Sequence, residues 1–170
     1  MTKHGISVVV VLVAVTCSVT ALGAQQSPAS SSAAPYGSPV SLEAAKKVAA
    51  AALAEAAKNN WTMAVAVVDP SGNLVYYEKM DNTQLGSAKV SINKARSAAV
   101  YKRPSKAFQD ALAGGGAGMR VLGLEDAEPV EGGVPLVVDG KIIGAVGVSG
   151  DSSDHDGQCA NAAAASLQKP

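Results

Sequence analysis

Two residues near the end of the chain have side chains that could bind a metal ion. His155 and Cys159 lie four positions apart in a segment whose composition predicts a helix, so their side chains would share one helix face. An imidazole and a thiolate on one face could ligate iron or another transition metal. The alternative is a histidine near solvent at the start of the helix and a small thiol buried in the core, an ordinary role for cysteine.

Acidic residues surround this histidine. The segment Ser152-x-Asp154-x-Asp156-Gly157 is similar to the start of a calcium loop, but Ala163 stands where such a loop requires its closing glutamate. This excludes an EF-hand. Two interpretations remain: weak metal binding at the surface, or acids that cap the helix and complement its dipole, and we favour the second.

A basic stretch lies in the middle of the chain. Positions 82 to 109 contain no acid and six basic residues, which are Lys89, Lys94, Arg96, Lys102, Arg103 and Lys106. A chain without net charge can still present a basic face that attracts carboxylates. Lys79, Lys94 and Arg96 are our candidates for binding a ligand carboxylate. The alternative is that these are ordinary solvated helix faces and contacts between subunits.

Two enzyme classes receive no support from the motifs. The run at 116 to 121 lacks the third glycine of a dinucleotide-binding loop, and the sequence contains no phosphate-binding loop motif. The run at 147 to 151 lacks the final glycine of a nucleophile elbow, and His155 would be the only available base. Nucleotide binding and serine hydrolysis are therefore set aside.

Length and composition indicate one globular domain. The chain has 170 residues, with 14 Lys and Arg against 14 Asp and Glu, and 48% of its residues are hydrophobic. A chain of this size can bury one real core without disulfide or metal support. Zero net charge excludes a strongly basic nucleic-acid binder.

The N-terminus has the layout of a secretory signal peptide over residues 1–24. Lys3 precedes an apolar run from Ile6 to Val15, and small residues follow up to Ala24. The run is too short to span a bilayer, so we expect export to the periplasm or the extracellular space and no membrane contact after cleavage. Residues 25–40 are rich in Ser, Pro and Ala and predict a flexible linker, which places the folded domain at 41–170.

The remaining pattern predicts helix, hairpin, two helices, hairpin and helix. The predicted bounds are a helix from Ser41 to Lys58, strands at 61–68 and 74–80, helices at 87–102 and 105–113, strands at 134–138 and 141–148, and a helix from 153 or 154 to 167. The turns Asp69-Pro70-Ser71-Gly72-Asn73 and Asp139-Gly140 join the strand pairs. Because hairpins form antiparallel pairs, the fold class is α+β and a doubly wound parallel sheet is excluded.

Four segments in this order resemble the GlcG/HbpS haem-binding family, which includes the C-terminal domain of PduO-type proteins. They are Asp69 to Leu74 with Lys79-Met80-Asp81, Ile92 to Ala98, Gly132 to Leu136, and Ile143 to Gly150 followed by Asp156 to Ala160. The resemblance covers residues 41 to 168. It implies a profilin-like antiparallel sheet of about five strands flanked by helices, homo-oligomers up to octamers, and binding of haem or iron. The family commonly has Arg where this chain has Lys79, and a lysine lacks the planar fork that grips a carboxylate twice.

With this resemblance, the observations favour a haem- or iron-binding protein, for sensing or sequestration, over an enzyme. A haem site needs an iron ligand, an apolar slot and cations for the propionates, and we expect the valine-rich sheet and the basic helix beside it to enclose that slot. The predicted ligand-binding residues are Lys79, Met80, Asp81, Lys94, Arg96, Gly132, Gly133 and Gly150, and the predicted metal ligands are His155 and Cys159. Met80 could instead fill core space, and the glycines could instead serve close packing.

Two other functions stay open at this point. In the first, the protein is an accessory protein or enzyme acting on a small hydroxy acid or related carboxylate, with Lys79, Asp81 and Lys94 binding the carboxylate and handling protons. In the second, it is a purely structural assembly module.

Overall fold

The computed structural model describes residue 1 and residues 33–168. The rest of the predicted signal peptide and the first part of the predicted linker lie outside these residues. The elements are α1 (Leu42–Lys58), β1 (Ala64–Val68), β2 (Leu74–Lys79), α2 (Ser87–Val100), α3 (Lys106–Ala113), a 3₁₀ helix (Gly116–Gly123), β3 (Gly133–Val138), β4 (Lys141–Ser149) and α4 (Ser153–Ala165). Among the described helices, none combines the length and the apolar character needed to cross a bilayer.

The strands form one antiparallel sheet in the order β2-β1-β4-β3. The α+β class is therefore confirmed, but the described residues contain four strands instead of about five. The segment nearest to a fifth strand is residues 35–40, which we call the strap. Tyr36 makes only a single parallel bridge to Ile142, and the prolines at 35 and 39 remove donors that a longer ladder would need.

The strap also corrects the predicted domain boundary. Ile142 N donates to Pro35 O at 2.8 Å, Gly37 N donates to Ile142 O at 2.8 Å, and Val40 is buried in the core. Residues 35–40 thus pack on the folded domain, so its boundary lies before Ser41. The prolines and small polar residues of this segment are typical of a flexible linker, but the backbone of the strap covers the part of β4 that extends beyond β1.

Helices cover the two faces of the sheet. On one face, α1 and α4 pack on the inward-facing side chains of β1 and β4 and form the main core. On the other face, α2 packs on a smaller cluster that contains Ala66, Val68 and Ala145. Alternate residues of a strand point to opposite faces, so the consecutive valines and alanines of β1 serve both layers.

Helix α2 lies very close to its face because glycines occupy the sheet beneath it. A Cβ atom added at Gly147 would come within 2.0 Å of Ser91 O, and one added at Gly133 within 2.2 Å of Lys94 O. The backbone of the helix therefore rests directly on the backbone of β3 and β4. This contact leaves no slot for a macrocycle between α2 and the sheet, so the predicted cleft between the valine-rich sheet and the basic helix is wrong.

Candidate functional site

Lys94 does not face a ligand but forms a buried ion pair. Its Nζ donates to Asp156 Oδ2 at 2.7 Å and to Val148 O at 3.2 Å, and the two charged side chains are 1% and 3% exposed. Burial raises the pKa of Asp156, against the opposing attraction of Lys94. The prediction that Lys94 binds a propionate or a small carboxylate is corrected accordingly, because its charge is already matched inside the protein.

The ion pair joins the layers on the two sides of the sheet. Lys94 belongs to α2 and Asp156 to α4, and the pair passes the start of β3, where a Cβ at Gly132 would lie 3.0 Å from Lys94 Nζ and 2.9 Å from Asp156 Cβ. Gly132 also has a φ of +126°, a conformation that favours glycine. At this position, glycine leaves room for the lysine to reach across.

The other predicted cations point elsewhere. Arg96 lies two positions after Lys94 on α2, and side chains at that spacing do not face each other. Its Nε donates to Gly72 O at 3.3 Å, and its guanidinium lies 3.6 Å from Asp126. Lys79 is exposed near the end of β2. These three cations therefore do not form one carboxylate-binding cluster.

Met80 and Asp81 follow Lys79 but have different surroundings. Met80 is half-buried against the main core, where Met63 N donates to its sulfur at 3.4 Å, whereas Asp81 is exposed. Met80 therefore fills space in the core, which was the alternative to its predicted role in ligand binding.

The three predicted glycines lie in close backbone packing. A Cβ at Gly150 would come within 2.0 Å of Thr62 O. Gly132 and Gly133 are buried, and they also line a cavity of about 220 Å³ together with Lys106, Glu131 and Asn161. Lys106 Nζ is 3.5 Å from Glu131, so the two charges that line this cavity largely offset each other.

Cys159 and His155 do not form a metal-binding pair. Cys159 is fully buried in the main core, and burial raises the pKa of its thiol to about 12. His155 is 40% exposed at the start of α4. The four-residue spacing puts both on one side of the helix, but only the histidine reaches the surface, and the described residues contain no cluster of three metal-binding side chains.

His155 is instead held by two residues that were not predicted to act with it. Its Nδ1 lies 3.1 Å from Asp151 Oδ1, and its ring stacks on Trp61 with 3.8 Å between centroids and 13° between planes. Hydrogen bonds from Ser152 N and from the histidine lower the pKa of Asp151. The four-residue spacing of Asp151 and His155 could have indicated their contact, but nothing in the sequence links Trp61 to a histidine so distant in the chain.

The acids at the start of α4 lie where they complement the helix dipole, as the favoured interpretation predicts, but the residue that caps the helix is a serine. Ser152 is the N-cap, and its hydroxyl accepts from His155 N at 3.3 Å, while Asp154 and Asp156 lie in the first turn. The positive end of the helix dipole stabilises such acids.

A groove runs between α1 and α4 on the outer surface. It has a volume of about 430 Å³, and its lining combines small apolar residues with charged ones, which are Lys47, Ala51, Ala54, Glu55, Lys58, Ala162, Ala165 and Ser166. We call it the alanine groove. Alanines give it a shallow apolar floor, and Lys47 and Lys58 supply cations beside that floor. The sequence did not predict this groove as a binding site, because alanines at helical spacing are typical of helix packing and have no reactive or charged group.

Comparisons with known proteins agree on one family. The family described as haem degrading protein HbpS-like matches residues 40–165. Protein GlcG of Escherichia coli strain K12 is 42% identical over 110 residues, which are 65% of this chain and 81% of that protein.

Two solved structures have the same fold. The crystal structure of HbpS is 31% identical, covers 77% of this chain and 92% of its own, and superposes with a TM-score of 0.70. The crystal structure of a PduOC:heme complex is 25% identical, covers 75% of this chain and 94% of its own, and has a TM-score of 0.68. The resemblance seen in the four sequence segments is thereby confirmed. The chain belongs to the haem degrading protein HbpS-like family.

Proposed function

We propose that this protein is an exported haem-binding protein that senses or sequesters haem. The observation that carries the proposal is the likeness to the PduOC:heme complex over most of the described domain. Membership of the family supports a haem-related role as well.

The alanine groove supports haem as the ligand on physical grounds. Ligand pockets span roughly 300 to 1,000 Å³, and the groove, at about 430 Å³, reaches this range, whereas the cavity at Gly132 and Gly133, at about 220 Å³, does not. A porphyrin needs an apolar surface against its ring and cations near its propionates. The alanine floor supplies the apolar surface and Lys47 a cation, whereas Lys58 shares its charge with Glu55, 3.0 Å away.

Hemin titration of the purified protein tests the proposal. We expect a saturable change in the Soret band that a urea-unfolded sample does not give. A titration curve that stays linear, or that is the same for unfolded protein, would contradict haem binding.

The two groove lysines provide a sharper test of the location. We expect the Lys47→Ala/Lys58→Ala double variant to bind hemin about 3- to 10-fold more weakly, since each lost exposed charge contributes up to about 1 kcal/mol. Lys46→Ala is the matched control, because Lys46 is also an exposed residue of α1 but does not line the groove. Equal affinities for the double variant and the control would exclude the groove as the propionate site.

Export and assembly are further parts of the proposal. The charged start and apolar run of residues 1–24 support export, and N-terminal sequencing of protein from the periplasm or the medium should find a new terminus near residue 24 or 25.

We further propose that the protein forms a homo-oligomer. The exposed apolar side chains of Met119, Leu122 and Leu124, in and just after the 3₁₀ helix, support such an assembly, and the upper limit of an octamer is what the family resemblance implies. Light scattering coupled to size exclusion measures the subunit number, and a monomer at micromolar concentration would contradict assembly.

A further inference from the structure

The haem binding proposed above requires a protein atom that binds the iron, and the assignment of that atom rests on the proposed function. Haem iron needs a ligand with an available lone pair, which proteins supply from His, Cys, Met or Tyr. Cys159 is removed from this list by its complete burial, and Met80 by its contact with the Met63 backbone inside the core.

His155 has the hydrogen bond that metal-binding histidines usually have. Its Nδ1 lies 3.1 Å from the Asp151 carboxylate, which can only accept a hydrogen bond when ionised, so the proton of the neutral ring resides on Nδ1. The lone pair is then on Nε2, and the described residues place no hydrogen-bond partner on that atom. Carboxylate, histidine and metal in this order recur in metalloproteins because the carboxylate fixes the tautomer and orients the ring.

Trp61 restricts the same ring from a second direction. The parallel stack at 3.8 Å covers one face of the imidazole, and Trp61 itself packs against the main core. A ring held by both a carboxylate and a rigid aromatic neighbour loses less freedom when it binds a ligand. The side chain is nevertheless 40% exposed, so a large ligand can approach it from solvent.

His155 does not line the alanine groove but lies two helical turns before its lining residue Ala162 on α4. Ala162 lies seven residues further along α4, which is two helical turns and about 10 Å, and α1 ends next to Trp61. Between the histidine and the groove, Gln158 Nε2 donates to Glu55 Oε1 at 2.8 Å and joins the two helices at the surface. A porphyrin bound at His155 would therefore lie near Lys58, which pairs with Glu55 at 3.0 Å.

From these contacts we propose that His155 Nε2 is the axial ligand of the haem iron, with Asp151 and Trp61 as positioning residues. The ligand class is iron porphyrin, bound at the corner where α1 ends and α4 begins.

The test compares the iron spectra of variants produced without a histidine tag. His155→Phe keeps an aromatic ring against Trp61 but has no nitrogen. The only other histidine of the sequence, His4, lies in the predicted signal peptide, so Lys46→Ala, at an exposed residue of α1, is the control. We expect wild type and Lys46→Ala to show the resonance Raman and electron paramagnetic resonance signatures of imidazole-ligated haem. We expect His155→Phe to lose them and to bind hemin about tenfold or more weakly.

A variant of the positioning carboxylate adds a second readout. Asp151→Ala keeps the imidazole, so the imidazole signature should persist, with a shifted iron–histidine stretching frequency. The affinity for hemin should fall about 10-fold, because losing a hydrogen bond to a ligating histidine typically has an effect of this size. If His155→Phe retains the imidazole signature and the wild-type affinity, the assignment of His155 is wrong while haem binding stands. If wild type binds no hemin, the proposed function itself fails.

Discussion

Burial determines what the most reactive side chains of this protein can do. Lys94 has the residue type that can bind a ligand carboxylate, but its charge is matched by Asp156 in the interior. Cys159 has a metal-binding side chain, but the core of α1 and α4 surrounds it. His155 differs from both because it reaches the surface.

The buried pair should respond strongly to the loss of one partner. We expect Lys94→Met to lower the free energy of unfolding by about 3–5 kcal/mol, because it leaves the Asp156 carboxylate buried without its counter-charge. Urea unfolding measures the effect, with Lys89→Met, an exposed lysine of the same helix, as a control expected to stay within about 0.5 kcal/mol of wild type. The Lys94→Met/Asp156→Leu double variant should recover part of the loss. A single variant as stable as its control would show that the pair contributes nothing.

The thiol of Cys159 should be unreactive in the folded protein. Its pKa of about 12 means that the reactive thiolate is scarce at neutral pH, and its side chain is inaccessible. We expect no reaction with Ellman's reagent at pH 8 under native conditions, and a rapid reaction in concentrated urea. The only other cysteine, Cys17, is in the predicted signal peptide. Rapid labelling of processed, folded protein would contradict the burial of this thiol.

At the scale of elements, the contact between α2 and the sheet depends on glycine. The backbone of α2 lies against Gly147 and Gly133 more closely than any side chain would allow. The same contact closes the space where a macrocycle was expected. Any ligand of haem size must therefore bind on another surface of the domain.

A single methyl group should disturb this contact. We expect Gly147→Ala to destabilise the protein by about 3 kcal/mol or more, the upper end for overpacking, because the new Cβ would meet the backbone atoms of Ser91 and Ala95. Gly86→Ala, just before α2, is the matched control, since nothing lies within 4 Å of the added Cβ. Chemical unfolding compares the two. Equal stabilities would mean that α2 shifts away from the sheet without cost.

The sequence predicted the elements well but not what they bring together. The serine at the start of α1, the turn at Asp69 and the alternation along β1 are local signals, and the helices and hairpins lie close to where these signals place them. The 3₁₀ helix was missed because its glycines are typical of a loop. The pairing of Lys94 with Asp156 was also missed, because it joins residues 62 positions apart and depends on Gly132 leaving room at the start of β3.

At the scale of the whole molecule, the strap connects distant parts of the domain. Its Tyr36 hydroxyl lies 3.1 Å from Ala99 O and 3.0 Å from Val100 O, at the end of α2, and its ring lies 4.1 Å from Lys102 Nζ. Carbonyls at a helix end have no partner within the helix. The strap therefore supplies a donor to α2 while its backbone bonds to β4.

Removing one oxygen atom tests the strap. We expect Tyr36→Phe to lower the free energy of unfolding by about 1 kcal/mol, the usual net worth of a neutral hydrogen bond. Tyr76→Phe is the control, because that hydroxyl bonds only to the nearby, exposed Glu78, and we expect a smaller change. Thermal and urea unfolding should agree on the order. A Tyr36 variant as stable as the control would mean that the strap adds no stability through this contact.

The stack of Trp61 on His155 gives the protein a built-in optical probe. Trp61 is the only tryptophan of the chain, so all intrinsic indole fluorescence comes from the corner between α1 and α4. Any process that separates the two rings, whether fraying of α4 or occupation of that corner by a pigment, changes the emission without an added label. Stopped-flow mixing could therefore time events at this one place in a protein of 170 residues.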